Sequence, residues 1–264
     1  MKSLSKEESL RAYYSTLLSA WGRQHWWPAR TRFEVVVGAY LTQNTAWTNV
    51  ELALRRLRAG GLLNLEGIRN TPLPELEMLI RSSGYFRQKA RRLKTFVAFV
   101  DAGYGGSLRR MFAQPTGKLR QDLLELNGIG PETAYSILLY AGQHPVFVVD
   151  AYTRRILDRH GILPMNTRYE QIRELFERAL TTTDGERRDL SIAGQGGAVH
   201  RPSPMSLAQR SPVAQVYNDM HALLVGVGKN HCVRSEPRCD SCPLRQFLPR
   251  TDRGHMQRSP RPSL

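Results

Sequence analysis

The chain has 264 residues, and its 38 Lys and Arg against 23 Asp and Glu give a formal net charge of +15. A surplus of that size calls for a polyanionic partner, nucleic acid first and an anionic membrane surface second. No apolar run approaches spanning length, the opening MKSLSKEESL is no secretory signal, and three cysteines within eleven residues make no disulfide framework. The expectation is therefore a cytoplasmic protein, nucleoid-associated if bacterial, and monomeric. Apolar spacing is helical nearly throughout, which predicts an all-α fold.

Residues 5–22 form an amphipathic helix with Leu10, Tyr13, Tyr14, Leu17, Leu18 and Trp21 on one broad face. The turn to Pro28 carries the adjacent pair Trp26-Trp27, which reads either as core anchors or as a stacking surface for a base. Phe33 to Thr42 is an apolar helix that breaks at Gln43-Asn44-Thr45 and resumes from Ala46 towards Trp47. Amide side chains at such a junction commonly satisfy local backbone groups. A helix over Val50 to Arg58 places Arg55, Arg56 and Arg58 on a polar side, and another runs from Pro72 to Arg81. The segment Gly84-Tyr85-Phe86-Arg87-Gln88-Lys89-Ala90-Arg91-Arg92 then precedes an apolar helix, Leu93 to Val100. Its charges are either a solvated helix face or a contact with a phosphate backbone.

The hairpin Leu126-Asn127-Gly128-Ile129-Gly130 lies between two segments of helical spacing. Its glycines permit a tight turn with positive φ, and bare amides at the start of the next helix favour an anion. Pro131 suits the first helical position. The buried-looking run Val146-Phe147-Val148-Val149 ends in Asp150, an N-cap for a helix over Ala151 to Arg159. Further helices are expected over Tyr169 to Leu180 and Val213 to Val227. The Gly, Ser and Pro content of residues 181–212 predicts a flexible insertion, and 251–264 read as a disordered basic tail.

LNGIGPETA, followed by VVDAYTRR with Asp150 eighteen residues after Glu132, resembles the helix-hairpin-helix signature of the endonuclease III superfamily of DNA glycosylases. The resemblance implies two helical lobes, one over 24–134 and the other joining 1–23 to 135–250, with Asp150 as catalytic carboxylate in the cleft. It implies that Gln43 fills the gap left by the displaced nucleotide, and that Lys89, Leu126, Gly128, Ile129 and Gly130 contact double-stranded DNA. Members that also cut the strand carry a lysine where this chain has Glu132. A carboxylate forms no Schiff base, so base removal without strand cleavage is expected.

WWP at Trp26, Trp27 and Pro28, LTQNT, SGYFRQKARRL and VVDAY resemble more narrowly the 3-methyladenine DNA glycosylase III branch. That likeness places Trp27, Pro28, Trp47 and Lys229 at the base pocket, with Trp26 beside them, and favours alkylated bases. An enzyme for oxidised pyrimidines or mismatched thymine is the alternative, and a non-catalytic DNA-binding module a further one. Cys232, Cys239 and Cys242 follow C-x6-C-x2-C, similar to the iron–sulfur loop of endonuclease III, but its fourth position falls on Leu248. The readings are a [4Fe–4S] cluster on three thiolates, a loop that has lost its metal, or a zinc site completed by a histidine. His231 and His255 are candidates for the vacant position.

Overall fold

The structure, a computed structural model, describes residues 4–181 and 200–249. The expected basic tail and residues 182–199 of the expected insertion lie outside the described residues, as does His255. Among the described residues there is no strand, as the apolar spacing predicts. In chain order the helices are α1 (Lys6–Trp21), α2 (Arg32–Leu41), α3 (Trp47–Ala59), α4 (Leu65–Asn70), α5 (Leu73–Leu79), α6 (Phe86–Tyr104), α7 (Leu108–Phe112), α8 (Thr116–Leu124), α9 (Pro131–Ser136), α10 (Ala151–Arg159), α11 (Tyr169–Thr181) and α12 (Pro212–Asn230). None of them is long and apolar enough to cross a membrane.

Contacts sort the described residues into two compact units. The first holds 25–148 and 200–219. Its centre is α2, buried from Phe33 to Leu41. A helix apolar on every side must be packed on every side, and α2 touches α3, α6 and α9. Thr31 caps it, the hydroxyl accepting from the Glu34 amide at 3.1 Å. Helix α6 lays Leu93, Phe96, Val97 and Val100 against α2, α4 and α5. Helix α9 passes directly into a π-turn, Ile137–Ala141, every residue of which is buried. That continuity explains why 135–148 stay with the hairpin, although the sequence reading ends this lobe at 134.

The second unit holds the described parts of 1–24, 149–199 and 220–264. Here α1 packs on α11, with Leu10, Tyr13 and Leu17 opposite a face that includes Ile172, Leu175 and Phe176. Ser5 and Glu8 close a reciprocal capping box at the start of α1. The later turns of α12 complete this unit, while its first residues, 212–219, belong to the other.

Candidate active site

Gly128 adopts φ +81, in the left-handed region that favours glycine. A Cβ there would stand 1.9 Å from Arg92 Nε, so the arginine lies directly over the turn. Arg92 Nη1 donates to Gln43 Oε1 at 2.9 Å. Gln43 Nε2 in turn donates to the Gly128 carbonyl and to Thr133 Oγ1, each at 2.9 Å. The junction after α2, the start of α6 and the hairpin are thereby locked together. Gln43, expected as a gap-filler in DNA, has both ends of its amide engaged by these protein groups. Ile129 is buried and anchors the turn, Leu126 is half-buried, and Gly130 is exposed as the N-cap of α9. The amides of Gly128 and Gly130 make no hydrogen bond among the described residues. Bare N–H groups beside a guanidinium are the elements from which a backbone anion site is built.

Lys89 was expected to contact DNA, and the structure corrects this. It is 1% exposed, and its Nζ donates to the carbonyls of Leu41 at 2.9 Å and Ser83 at 2.6 Å. Leu41 ends α2, so Lys89 satisfies a carbonyl that the helix leaves unpaired. Burial, and then the charge of Arg92, pull Lys89 down to about 8. The reason is periodicity: Lys89, Leu93 and Phe96 share the apolar face of α6, while Arg87 and Arg91 point to solvent.

Asp150 caps α10 as expected. Its Oδ1 accepts from the Thr153 amide at 2.7 Å and from Thr153 Oγ1 at 2.9 Å. Its Oδ2 lies 3.6 Å from Nε2 of His221, on α12. Burial pushes the carboxyl up, but His221 and the Thr153 bonds together hold it below its ordinary value. The group is therefore a fixed carboxylate at neutral pH. Beside it, Tyr152 packs on Gly228, where a Cβ would stand 2.2 Å from the ring. Lys229 is exposed in the last turn of α12.

Of the other expected pocket residues, Trp26 and Trp27 are only 7% and 6% exposed. Trp27 stands edge-on to Trp47 at 5.3 Å and lies 5.3 Å from Tyr140 of the π-turn. Gly38 makes room for it, since a Cβ there would come within 3.2 Å of the indole. Pro28 and Trp47 line an open cavity of about 360 Å³, with Glu34, Glu51, Arg55 and Arg58. Trp47 Nε1 donates to Glu51 Oε1 at 2.8 Å. Behind Trp26 sits His200 at 5.2 Å. Ser203 Oγ donates to the Trp27 carbonyl, and the Met205 amide to Ala29. Residues 200–205 are thus tied to the Trp26-Trp27 turn by one ring contact and two hydrogen bonds.

Residues 37–181 match the family described as HhH-GPD superfamily base excision DNA repair protein. A Methanocaldococcus jannaschii protein, provisionally named a DNA repair glycosylase, is 39% identical over 92% of this chain and 97% of its own. The chain belongs to the HhH-GPD superfamily. Endonuclease III of Sulfolobus acidocaldarius is 23% identical over 83% of this chain and 82% of its own. Among solved HhH-GPD structures, the H. pylori 3-methyladenine DNA glycosylase bound to 1,N6-ethenoadenine superposes with a TM-score of 0.65 at 27% identity, covering 86% of this chain and 98% of its own. A trapped endonuclease III–DNA covalent intermediate gives a TM-score of 0.68 at 21% identity, covering 93% of this chain and 96% of its own, a likeness of fold. As an HhH-GPD member the chain is a DNA glycosylase of base excision repair, and DNA is its partner.

The HhH-GPD chain also brings its cysteines together. Cys232, Cys239 and Cys242 line one cavity of about 190 Å³, with Leu248, His160 and His231. None of the three forms a disulfide among the described residues. Burial, and then the neighbouring Cys239 and Cys232, push Cys242 up to about 11. Among the described residues no three His, Cys, Asp or Glu side chains converge on a single metal ion. A cubane spreads its ligands around a body and requires no such convergence.

Several residues of this site carry no signal that sequence reading used. Thr153, three residues after an N-cap aspartate, is a local pattern that could have been read. Arg155 and Arg159, one turn apart on α10, hold the cysteine loop, Arg155 Nε donating to the Cys232 carbonyl at 2.6 Å. His221 comes from a distant segment and could not be placed from local spacing; Arg92 belongs to the basic segment read as a possible phosphate contact, and only its position over the turn is new.

Proposed function

We propose that the chain is a monofunctional DNA glycosylase acting on alkylated bases, with Asp150 as its catalytic carboxylate. The observation that carries this is the fixed, ionised Asp150, its Oδ1 held by Thr153 and its Oδ2 facing His221. Hydrolysis of a glycosidic bond passes through an oxocarbenium-like sugar, and a buried negative charge stabilises that cation or orients the attacking water. The hairpin amides and Arg92 would hold a phosphate while the nucleotide leaves the stack, at a cost of a few kcal/mol. An N-alkylated purine is positively charged and leaves without a general acid. Around one cavity Glu34 and Glu51 are matched by Arg55 and Arg58, so it is the indole face of Trp47 that would receive such a cation. The bound ethenoadenine of the H. pylori enzyme supports the same substrate class.

Glu132 is exposed in the first turn of α9, and on the resemblance to endonuclease III it takes the place of the lyase lysine. Borohydride should therefore trap no covalent complex, and strand breaks should appear only after alkali. Duplexes carrying 3-methyladenine, thymine glycol or a G·T mismatch test the substrate. Release of 3-methyladenine by the unsubstituted chain, abolished by Asp150→Asn with DNA binding kept, is the expected result. Release by Asp150→Asn at the unsubstituted rate refutes the assignment.

The cysteine cavity fits a [4Fe–4S] cluster held by Cys232, Cys239 and Cys242. Bound there, the cluster would stiffen the loop carrying Arg234 and Arg238, and its role is structural.

A further inference from the structure

Resting on the reading that the cysteine cavity holds a [4Fe–4S] cluster, we propose that His160 ligates its fourth iron through Nε2, in place of the thiolate missing at position 248. His160, the three cysteines and Leu248 line the same cavity. The imidazole is already oriented: its Nδ1 lies 2.8 Å from the Tyr13 hydroxyl, and the rings meet edge-on at 5.3 Å. With Nδ1–H donating to that oxygen, Nε2 keeps its lone pair, and it has no hydrogen bond among the described residues. Metal-bound imidazoles are held in this way, the second ring nitrogen tied to an oxygen.

Tyr13 also lies 4.9 Å from Phe247, the residue before Leu248. One buried tyrosine therefore touches both the histidine and the segment in which the fourth cysteine is missing. Arg159 donates to Cys232 Sγ at 3.3 Å, fastening the first cysteine to the turn that carries His160. His231 lines the cavity too, and its Nδ1 is likewise near a hydroxyl, Ser241 Oγ at 3.2 Å; what sets it apart is that its ring is held flat on Trp21 at 5.7 Å. His231 adjoins Cys232 in the sequence, whereas the fold brings in His160 from 72 residues earlier in the chain (232 − 160).

The full-length protein, purified without oxygen, should contain iron and sulfide at about four each per chain. In the dithionite-reduced protein labelled with 15N-histidine, pulsed electron paramagnetic resonance should show a directly bound nitrogen. That coupling should vanish in His160→Ala and persist in His231→Ala. Ferricyanide should convert the His160→Ala cluster to [3Fe–4S]+, the fourth iron leaving as Fe2+ and one electron passing to ferricyanide. The unsubstituted protein should resist the same exposure, and Leu248→Cys in the His160→Ala background should restore resistance. A cluster-bearing protein without histidine coupling overturns the proposal, as does loss of coupling in His231→Ala instead. The labelled unsubstituted protein decides the ligand class even if His160→Ala does not fold. Absence of iron and sulfide would overturn the cofactor reading itself and leave the glycosylase assignment standing.

Discussion

Asp150 Oδ2 faces His221 Nε2 across 3.6 Å, while Oδ1 is saturated by Thr153. The two oxygens thus have different partners, and His221 and Thr153 both oppose burial. Burial is the largest single influence on this carboxyl and acts upward, yet the net shift is down from 3.8. Base release should stay level as pH falls until below that ordinary value. In His221→Gln the opposition weakens, so the acid limb of the rate profile should move upward. Stability has the matching sign: the contribution of Asp150 is present above the unfolded value and is lost as pH falls through the lower folded one. Single-turnover rates across pH check this, and an acid limb unmoved by His221→Gln would refute the coupling.

Gly128→Ala should damage DNA binding and stability together. A side chain at φ +81 costs about 1–2 kcal/mol. The added methyl would also displace Arg92, and with it the bond to Gln43. The expected result is a melting temperature lower by several degrees, roughly 2–4 °C per kcal/mol for a protein of this size. Duplex affinity should fall at least severalfold. Calorimetry and fluorescence anisotropy measure the two, and an unchanged affinity would mean that the hairpin does not grip phosphate.

How much of this was legible before folding depends on the distance over which each feature is encoded. The Asp150 cap lies within four residues and was read correctly. The apolar run of α2 and the Gly-Ile-Gly turn are equally local. Lys89 was misplaced although its own helix held the answer: with Leu93 and Phe96 it completes an apolar stripe, and the positive net charge outweighed that pattern. Residues 200–205 read as part of an insertion because composition counts only a segment's own apolar surface, and their ties to Trp26, Trp27 and Ala29 join segments far apart in the chain. The Gln43–Arg92–Gly128 lock joins segments 49 and 85 residues apart, and no local rule encodes it.

Lys89→Met should separate structure from DNA contact. Losing the ammonium leaves the Leu41 carbonyl without its donor, at about 1–3 kcal/mol, while the Ser83 carbonyl keeps the Thr45 hydroxyl. Duplex affinity and its salt dependence should not change, because no phosphate reaches a residue 1% exposed. The pH dependence carries a sign. With its folded value near 8 against an ordinary 10.5, the buried ammonium is least costly at high pH, so this group makes stability rise between those values. The substituted protein should lack that rise. Denaturant melts at pH 8 and pH 10, compared between the two proteins, test it; equal slopes would refute the shift.

Arg159→Ala should loosen the cysteine loop without touching Asp150. The guanidinium donates from Nη1 to Cys232 Sγ at 3.3 Å and to the Val233 carbonyl at 2.7 Å, and from Nη2 to the Arg234 carbonyl at 3.0 Å. Charged donors of this kind contribute roughly 1.5–3 kcal/mol each before non-additivity. Their removal should therefore free the segment from residue 233 onward well before the unit around it unfolds. Limited proteolysis should cut first within 233–238, and a chelator should strip iron faster from the substituted protein. Single-turnover base release, measured with duplex in excess over the dissociation constant, should stay near the unsubstituted rate, because Thr153 and His221 still hold the carboxylate. A variant that loses this rate while keeping its loop protected from protease would show that Arg159 acts on the carboxylate instead of the loop.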